Sequence, residues 1–160
     1  MSTRALADDP LALPVLRLAL GPAIHTAPAA DESTRLAVDI TAGAGLAPLG
    51  WKGVGVILNP ELGYAFDSLG THAFNVVAGI GYGSPLAYAS YRPRFLVGDA
   101  SGNLMVGMRN GLAMHLLLDM VSLEFGHQFA SYGGALHHDV RVLFGVNPAS
   151  FVYAINRLSR

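Results

Sequence analysis

A serine, a histidine and an acid that lie close together in the sequence have the residue types of a serine hydrolase. Glu124, His127 and Ser131 could supply the orienting acid, the general base and the nucleophile of such a site. In an extended strand, however, Glu124 and His127 point to opposite faces, so the three side chains do not converge without a bulge. We therefore expect that the chain is not an enzyme and assign no catalytic residue, with a lipid hydrolase as the alternative.

Most of the histidines map to one end of the strands predicted below, where they could converge on a metal ion. They are His25, His72, His127, His137 and His138. Loops and strand ends concentrate polar side chains, however, and the His-His-Asp run at 137–139 has no recognised metal-binding spacing. The sequence therefore predicts no metal ion and no cofactor.

A larger set of ionisable residues alternates with apolar residues along the chain. The clearest case runs from Thr34 to Leu46, where Leu36, Val38 and Ile40 alternate with residues that include Arg35 and Asp39. A helix cannot separate such a pattern into two faces, whereas a β-strand does so with its period of two. The alternation therefore predicts strands.

Clusters of turn-forming residues divide the chain into segments of similar size. Eight alternating segments with short connections predict an eight-stranded antiparallel up-and-down barrel over residues 14–146, after an N-terminal extension over residues 1–13. Asn147 suits a helix N-cap, and Pro148 suits the first helical position. We therefore expect a short C-terminal amphipathic helix over residues 147–160.

The composition of the second face indicates which side of the barrel faces outward. That face combines many Gly and Ala residues with long charged ones, whereas water-facing strands favour Thr, Lys, Glu and Gln, and Lys52 is the only lysine. Small residues beside long charged ones suit the inside of a narrow barrel. Because an unpaired buried ion costs several kcal/mol, we expect a salt-bridged, essentially closed lumen network formed by Arg17, Arg35, Asp39, Glu61, Arg92, Arg94, Arg109, Glu124, Asp139 and Arg141.

The overall composition favours an apolar environment for the other face. Hydrophobic residues make up 52% of the chain and charged residues only 13%, about half the usual share of a soluble protein. No apolar run has the roughly 18 residues that a membrane helix needs. The net charge of -1 gives no basic surface for nucleic acid, which we exclude as a partner.

Aromatic residues tend toward the strand ends, as they do in the interfacial girdles of membrane barrels. One predicted girdle contains Tyr64, Phe66, Phe74, Phe125, Phe129 and Tyr132, and the other contains Trp51, Tyr82, Tyr88 and Tyr91.

In this architecture the chain resembles the small eight-stranded outer-membrane β-barrel proteins of Gram-negative bacteria. The resemblance implies an integral, transmembrane, porin-like β-barrel in the bacterial outer membrane, with both termini in the periplasm. It also implies membrane lipid as a partner, with other envelope proteins as further candidates. No secretory signal peptide is visible in the first residues, so this location requires one that has been removed.

The sequence supports several functional hypotheses. The first is a non-enzymatic membrane anchor or component of an envelope assembly, and a narrow pore for small solutes is the second. The lipid hydrolase and a soluble barrel that carries an apolar ligand are the others. Two features oppose the barrel: Pro22, Pro60 and Pro93 lie inside predicted strands, and Asn110 lies on the face predicted to meet lipid unless a bulge intervenes.

Overall fold

The computed structural model describes residues 10–26, 34–48 and 53–158. Its strands are β1 (Leu11–His25), β2 (Thr34–Ala47), β3 (Gly55–Asp67), β4 (His72–Ser84), β5 (Ala87–Ala100), β6 (Asn103–Leu116), β7 (Val121–Tyr132) and β8 (Ala135–Val146), followed by helix α1 (Pro148–Leu158). Each strand pairs with the next in antiparallel fashion, and β1 pairs with β8 to close the barrel. The predicted all-β class, eight-stranded meander and C-terminal helix are confirmed. Trp51 and most of the predicted N-terminal extension lie outside the described residues.

The alternation of side chains along each strand places apolar groups outside. In β1 the side chains of Leu16, Leu18 and Leu20 are 41–49% exposed, while Arg17 and Ala19 between them are buried. Because successive Cβ atoms of a strand point to opposite faces, one face of the sheet lines the lumen and the other forms the outer wall. The sequence pattern therefore determines an inside-out barrel.

The three strand prolines fit the closed barrel because strand pairing is interrupted beside each of them. Pro22 pairs with Leu36 of β2, whereas the β1–β8 register passes from Leu20 to Ala23 without pairs at the two residues between. The β2–β3 register omits Pro60 and the β4–β5 register omits Pro93 in the same way. The missing N–H of each proline therefore affects one neighbouring strand only. All eight pairings keep a constant register, so no bulge is needed.

Helix α1 lies at one end of the barrel, which we call the α1 end; the opposite end, with the short turns at 68–71, 101–102 and 133–134, is the rim end. The Asn147 side chain accepts a hydrogen bond from the Leu16 backbone N–H and caps α1 through the Ser150 N–H. Ala154 of α1 belongs to the same buried apolar cluster as Leu11 and Leu118. Strand β1 thus begins at Leu11, before the predicted start at residue 14, because its first residues belong to this apolar closure.

The turn between β6 and β7, at the α1 end, has an unusual backbone. Leu117, Leu118 and Asp119 have φ values of 55°, 63° and 66°, in the left-handed region that residues other than glycine rarely adopt. Such conformations cost about 1–3 kcal/mol each and persist only where the surroundings stabilise them. Among the described residues, no helix has the length and hydropathy required to span a membrane.

Candidate functional site

The ten ionisable residues predicted to line the lumen all lie buried inside the barrel. Each of them takes part in an ion pair with a lumen residue of opposite charge. The pairs form two networks, which differ in position along the barrel axis.

The central network runs from the α1 end through the middle of the barrel. It alternates in sign from one member to the next, in the order Asp119, Arg17, Glu61, Arg92, Glu124, Arg94, Asp39 and Arg109. Four guanidinium groups therefore face four carboxylates, and each inner member contacts two partners of opposite charge. Such alternation is what buried ions require, because an unpaired ion in a low-dielectric interior is strongly unfavourable.

Glu61 is the carboxylate with the most partners in the central network. Its oxygens accept hydrogen bonds from Arg17 Nη1 at 2.9 Å, from both terminal nitrogens of Arg92 at 2.8 Å and from the Thr41 hydroxyl at 2.5 Å. The Arg92 contact is bidentate, the arrangement in which a guanidinium matches a carboxylate best. Glu61 therefore connects strands β1, β2, β3 and β5 through one side chain.

The rim network is smaller and looser. Arg35 contacts Asp67 and Asp139 at 3.2 Å, and Arg141 contacts Asp139 at 3.6 Å. His25 Nδ1 lies 2.8 Å from the same Asp139 carboxylate. Two arginines again face two carboxylates, so each network is balanced in formal charge.

Two members of these networks were missed by the sequence analysis, and they supply the balance. Asp67 lies an even number of residues from Glu61 in β3, so the alternation of that strand predicts that its side chain points into the lumen, although the residue also begins a turn. Asp119 lies in the left-handed turn after β6, where strand parity does not apply. Without these two carboxylates the lumen would hold six arginines against four acids.

Glycines on the inner face make room for the long arginine side chains. A Cβ atom at Gly126 would lie 3.1 Å from Arg109 Cδ, and one at Gly145 would lie 3.0 Å from Arg17 Cδ. Both distances are below ordinary van der Waals contact, so a larger residue would displace the guanidinium groups. The high glycine content of the inner face therefore serves the packing of the ion networks.

A third group of polar side chains, also missed, lies beside the central network at the α1 end. Ser90 Oγ is 2.8 Å from His115 Nε2, and His115 Nδ1 is 2.5 Å from Asp119 Oδ1. The Tyr88 ring, predicted to lie in an outer girdle, instead points into the lumen and stacks on the His115 ring with centroids 4.3 Å apart. Burial alone would raise the pKa of the Asp119 carboxyl, but Arg17 and the His115 hydrogen bond hold that pKa below its ordinary value.

The hydrolase residues considered from the sequence do not come together. Glu124 is buried in the central network, whereas His127 is exposed on the outer wall and Ser131 is exposed near the rim. Four of the rim histidines form two separate pairs: the His137 ring lies 5.5 Å from that of His25 and stacks on Tyr132, whereas His138 stacks on His127. In the described ranges, no three His, Asp or Glu side chains are placed to hold a metal ion.

The outer wall is apolar, with few polar interruptions. Leu62, Phe74, Leu104 and Leu112 are 65–72% exposed. Asn110 remains on this face, and its Oδ1 accepts a hydrogen bond of 2.6 Å from the Tyr91 hydroxyl, so the amide carbonyl is satisfied without a bulge. The barrel therefore presents hydrocarbon to its surroundings and keeps its charges inside.

Comparisons with known proteins identify no family for the chain. No family model matches the sequence, and no curated protein matches it. Among solved structures, the chain is similar to one described as "De novo design of transmembrane beta-barrels", with 16% sequence identity and a TM-score of 0.43 over 82% of this chain and 93% of that chain. The architecture given above follows from the strand pairing of the chain itself.

Proposed function

We propose that the chain is an integral membrane β-barrel with a closed, non-conducting lumen. The observation that carries the proposal is the inside-out distribution of side chains. Leu62 is 66% exposed at the middle of β3, while its neighbour Glu61 is 3% exposed among arginines. In water, an outer wall of this kind would expose far more contiguous apolar surface than monomeric soluble proteins tolerate. In a bilayer the same wall is solvated by acyl chains.

The strand pairing supports the same environment. A bilayer core offers no water to backbone N–H and C=O groups, so a sheet can cross it only when it closes on itself. Here β1 pairs with β8 from Leu18↔Val146 to His25↔Asp139, with a gap of two residues at Gly21 and Pro22, so the sheet closes on itself. Strands of 12–15 residues also meet the length of about 10 tilted residues that a membrane crossing needs.

The ion networks favour a closed lumen over the narrow pore. The central network crosses the lumen repeatedly, since Arg17 of β1, Arg92 and Arg94 of β5 and Arg109 of β6 reach carboxylates on other strands. Helix α1 and its apolar contacts cover one end. A soluble carrier of an apolar ligand is disfavoured by the same side chains, because a charged lining offers such a ligand no favourable contact.

The proposed location is the bacterial outer membrane, with lipid as the immediate partner. There the barrel would act as a membrane anchor or as one component of an envelope assembly, with the rim turns and α1 available for protein contacts. Neither role requires a cofactor.

Membrane insertion is tested by refolding the full chain into phosphatidylcholine vesicles and following flotation and electrophoretic mobility. The proposal predicts that the chain floats with the vesicles and that boiling changes its mobility, because a closed barrel resists detergent unfolding at room temperature. A chain that stays in solution without detergent and shows the same mobility before and after boiling would contradict membrane insertion and favour the soluble carrier.

A further inference from the structure

We propose that Ser90, His115 and Asp119 form a latent serine hydrolase site at the α1 end of the barrel, with an apolar acyl ester as substrate. The three residues come from β5, β6 and the turn that follows β6. They are joined in the order that acyl transfer requires: Ser90 Oγ to His115 Nε2 at 2.8 Å, and His115 Nδ1 to Asp119 Oδ1 at 2.5 Å. The inference goes beyond the proposed membrane role and departs from the expectation that the chain is not an enzyme.

The protonation pattern of this arrangement suits a general base. A proton on His115 Nδ1 is donated to the Asp119 carboxylate, which leaves Nε2 to accept the hydroxyl proton of Ser90. Arg17 lies 2.5 Å from the other Asp119 oxygen and keeps the carboxylate ionised beside the imidazole. Asp119 therefore fixes the ring and stabilises the imidazolium that forms during reaction.

The backbone around Asp119 is a second observation that points to a function. Three consecutive residues with left-handed φ values, Leu117, Leu118 and Asp119, direct the carboxylate toward His115. Backbone strain of this kind clusters at active sites, where it holds groups in place before the reaction. Each of the rim turns uses glycine for at least one left-handed position, whereas Leu117, Leu118 and Asp119 all carry side chains there.

The surroundings of the site indicate the class of substrate. Tyr88 stacks on His115 and belongs to the apolar cluster beneath α1, together with Leu11, Leu13, Ile57 and Leu118. This apolar cluster adjoins the reacting groups through Tyr88, so we assign this side of the site to an acyl chain rather than to a charged group. Ala154 of α1 belongs to the same cluster. We therefore assign to α1 the role of a lid that must move to admit substrate.

The reaction follows from these positions. Ser90 Oγ forms a bond to the ester carbonyl carbon while its proton passes to His115 Nε2. The bond from that carbon to the leaving alcohol oxygen breaks, and the alcohol takes the proton from His115. Water repeats the sequence on the acyl-Ser90 intermediate and releases the carboxylic acid. The Tyr88 hydroxyl accepts a hydrogen bond from Asn59 Nδ2 at 2.8 Å. Its own O–H is then free to donate a hydrogen bond to the ester carbonyl oxygen, which becomes negative during the reaction.

The proposal is tested by treating the refolded full chain with a biotin-linked fluorophosphonate and locating the adduct by mass spectrometry. We expect an adduct on Ser90 that Ser90→Ala abolishes and that His115→Gln slows on the order of 100-fold, the usual effect of losing a general base. Ser122→Ala is the matched control, because Ser122 is also a buried lumen serine and pairs with His115 across β6 and β7, whereas His115 Nε2 is bonded to Ser90. Heat-dependent mobility shows that each variant is folded. No adduct on the folded wild type, or equal labelling of Ser90→Ala, would overturn the proposal.

Two further measurements identify the source of the acyl group and the role of α1. Release of p-nitrophenol from p-nitrophenyl butyrate indicates that the substrate is a soluble short-chain ester. Release of fatty acid from phosphatidylcholine vesicles indicates that it is a membrane lipid. If neither product is released, the proposal is overturned. Ala154→Asp, which introduces a charge beneath α1, should speed labelling of Ser90 in the folded chain. Unchanged labelling would show that α1 is not the lid.

Discussion

The middle of the barrel and its rim use the same chemistry with different geometry. At Glu61, Asp119 and Glu124 of the central network, the arginine–carboxylate contacts are 2.5–3.1 Å long. In the rim network they are 3.2–3.6 Å long. The central ions are far from bulk water and must satisfy one another, whereas the rim ions lie near the end of the lumen. The difference suggests that the central network organises the fold and that the rim network contributes less.

The largest expected effect comes from removing one charge of the central network. Glu61→Gln leaves the Arg17 and Arg92 guanidinium groups with one carboxylate fewer in the deepest part of the lumen. Breaking a buried ion pair in this way costs about 3–5 kcal/mol. Urea unfolding of the refolded protein in vesicles, followed by tryptophan fluorescence, measures the loss.

Asp67→Asn is the matched rim variant. It removes one carboxylate from Arg35, which keeps Asp139, and the asparagine Oδ1 can still accept the turn hydrogen bonds from the Leu69 and Thr71 N–H groups. We expect a loss of about 1 kcal/mol, since Asp67 makes one ion pair, at 3.2 Å, whereas Glu61 makes two. Equal losses for Asp67→Asn and Glu61→Gln would show that depth in the lumen does not matter.

The outer wall should show the same dependence on depth, for a different reason. Leu62 lies at the middle of β3 and Leu104 lies at the rim end of β6, and both are highly exposed. An arginine facing lipid costs about 2–4 kcal/mol at the bilayer midplane and about 0–1 kcal/mol near the interface. Leu62→Arg should therefore destabilise the protein more than Leu104→Arg in the same urea experiment. Similar values would mean that no bilayer surrounds the wall.

The third comparison, whose main effect should be smaller than those of Glu61→Gln and Leu62→Arg, concerns the space that glycine leaves for arginine. Gly126→Ala places a methyl group 3.1 Å from Arg109 Cδ, so the side chain must shift, and we expect a loss of about 1–3 kcal/mol. Gly45→Ala is the control, because the nearest atom to its added Cβ is 3.6 Å away, at Leu13. Thermal unfolding in detergent should separate the two variants. A stable Gly126→Ala protein would show that the central network tolerates displacement.

Much of the fold could be predicted from the sequence because strand parity is a local property. Residues such as Leu36 and Asp39 alternate in the chain, and the barrel keeps that alternation over every strand. Parity also placed the ten charged residues on one face, although it gave no information on which arginine meets which carboxylate. Those pairings depend on the tilt of the strands and on contacts between residues far apart in sequence.

The parts that were missed do not lie in regular strands or depend on distant neighbours. Asp119 reaches the lumen from a left-handed turn that no residue preference indicates, since Leu117 and Leu118 are unusual in that conformation. Ser90 and His115 become neighbours only because β5 and β6 pair in one register. Tyr88 was assigned to the outer wall because aromatic residues often form girdles, but its parity in β5 matches Ser90 and Arg92, which point inward. Parity was the better guide at that position.

The measurement that tests the closed lumen most directly is single-channel conductance of the wild-type chain in planar bilayers. The charge-balanced central network and the covered α1 end predict a barrel that inserts without discrete conductance steps. Stable steps that disappear or change size in Arg92→Ala would contradict the account, since they would show a continuous water path past Arg92 through the lumen.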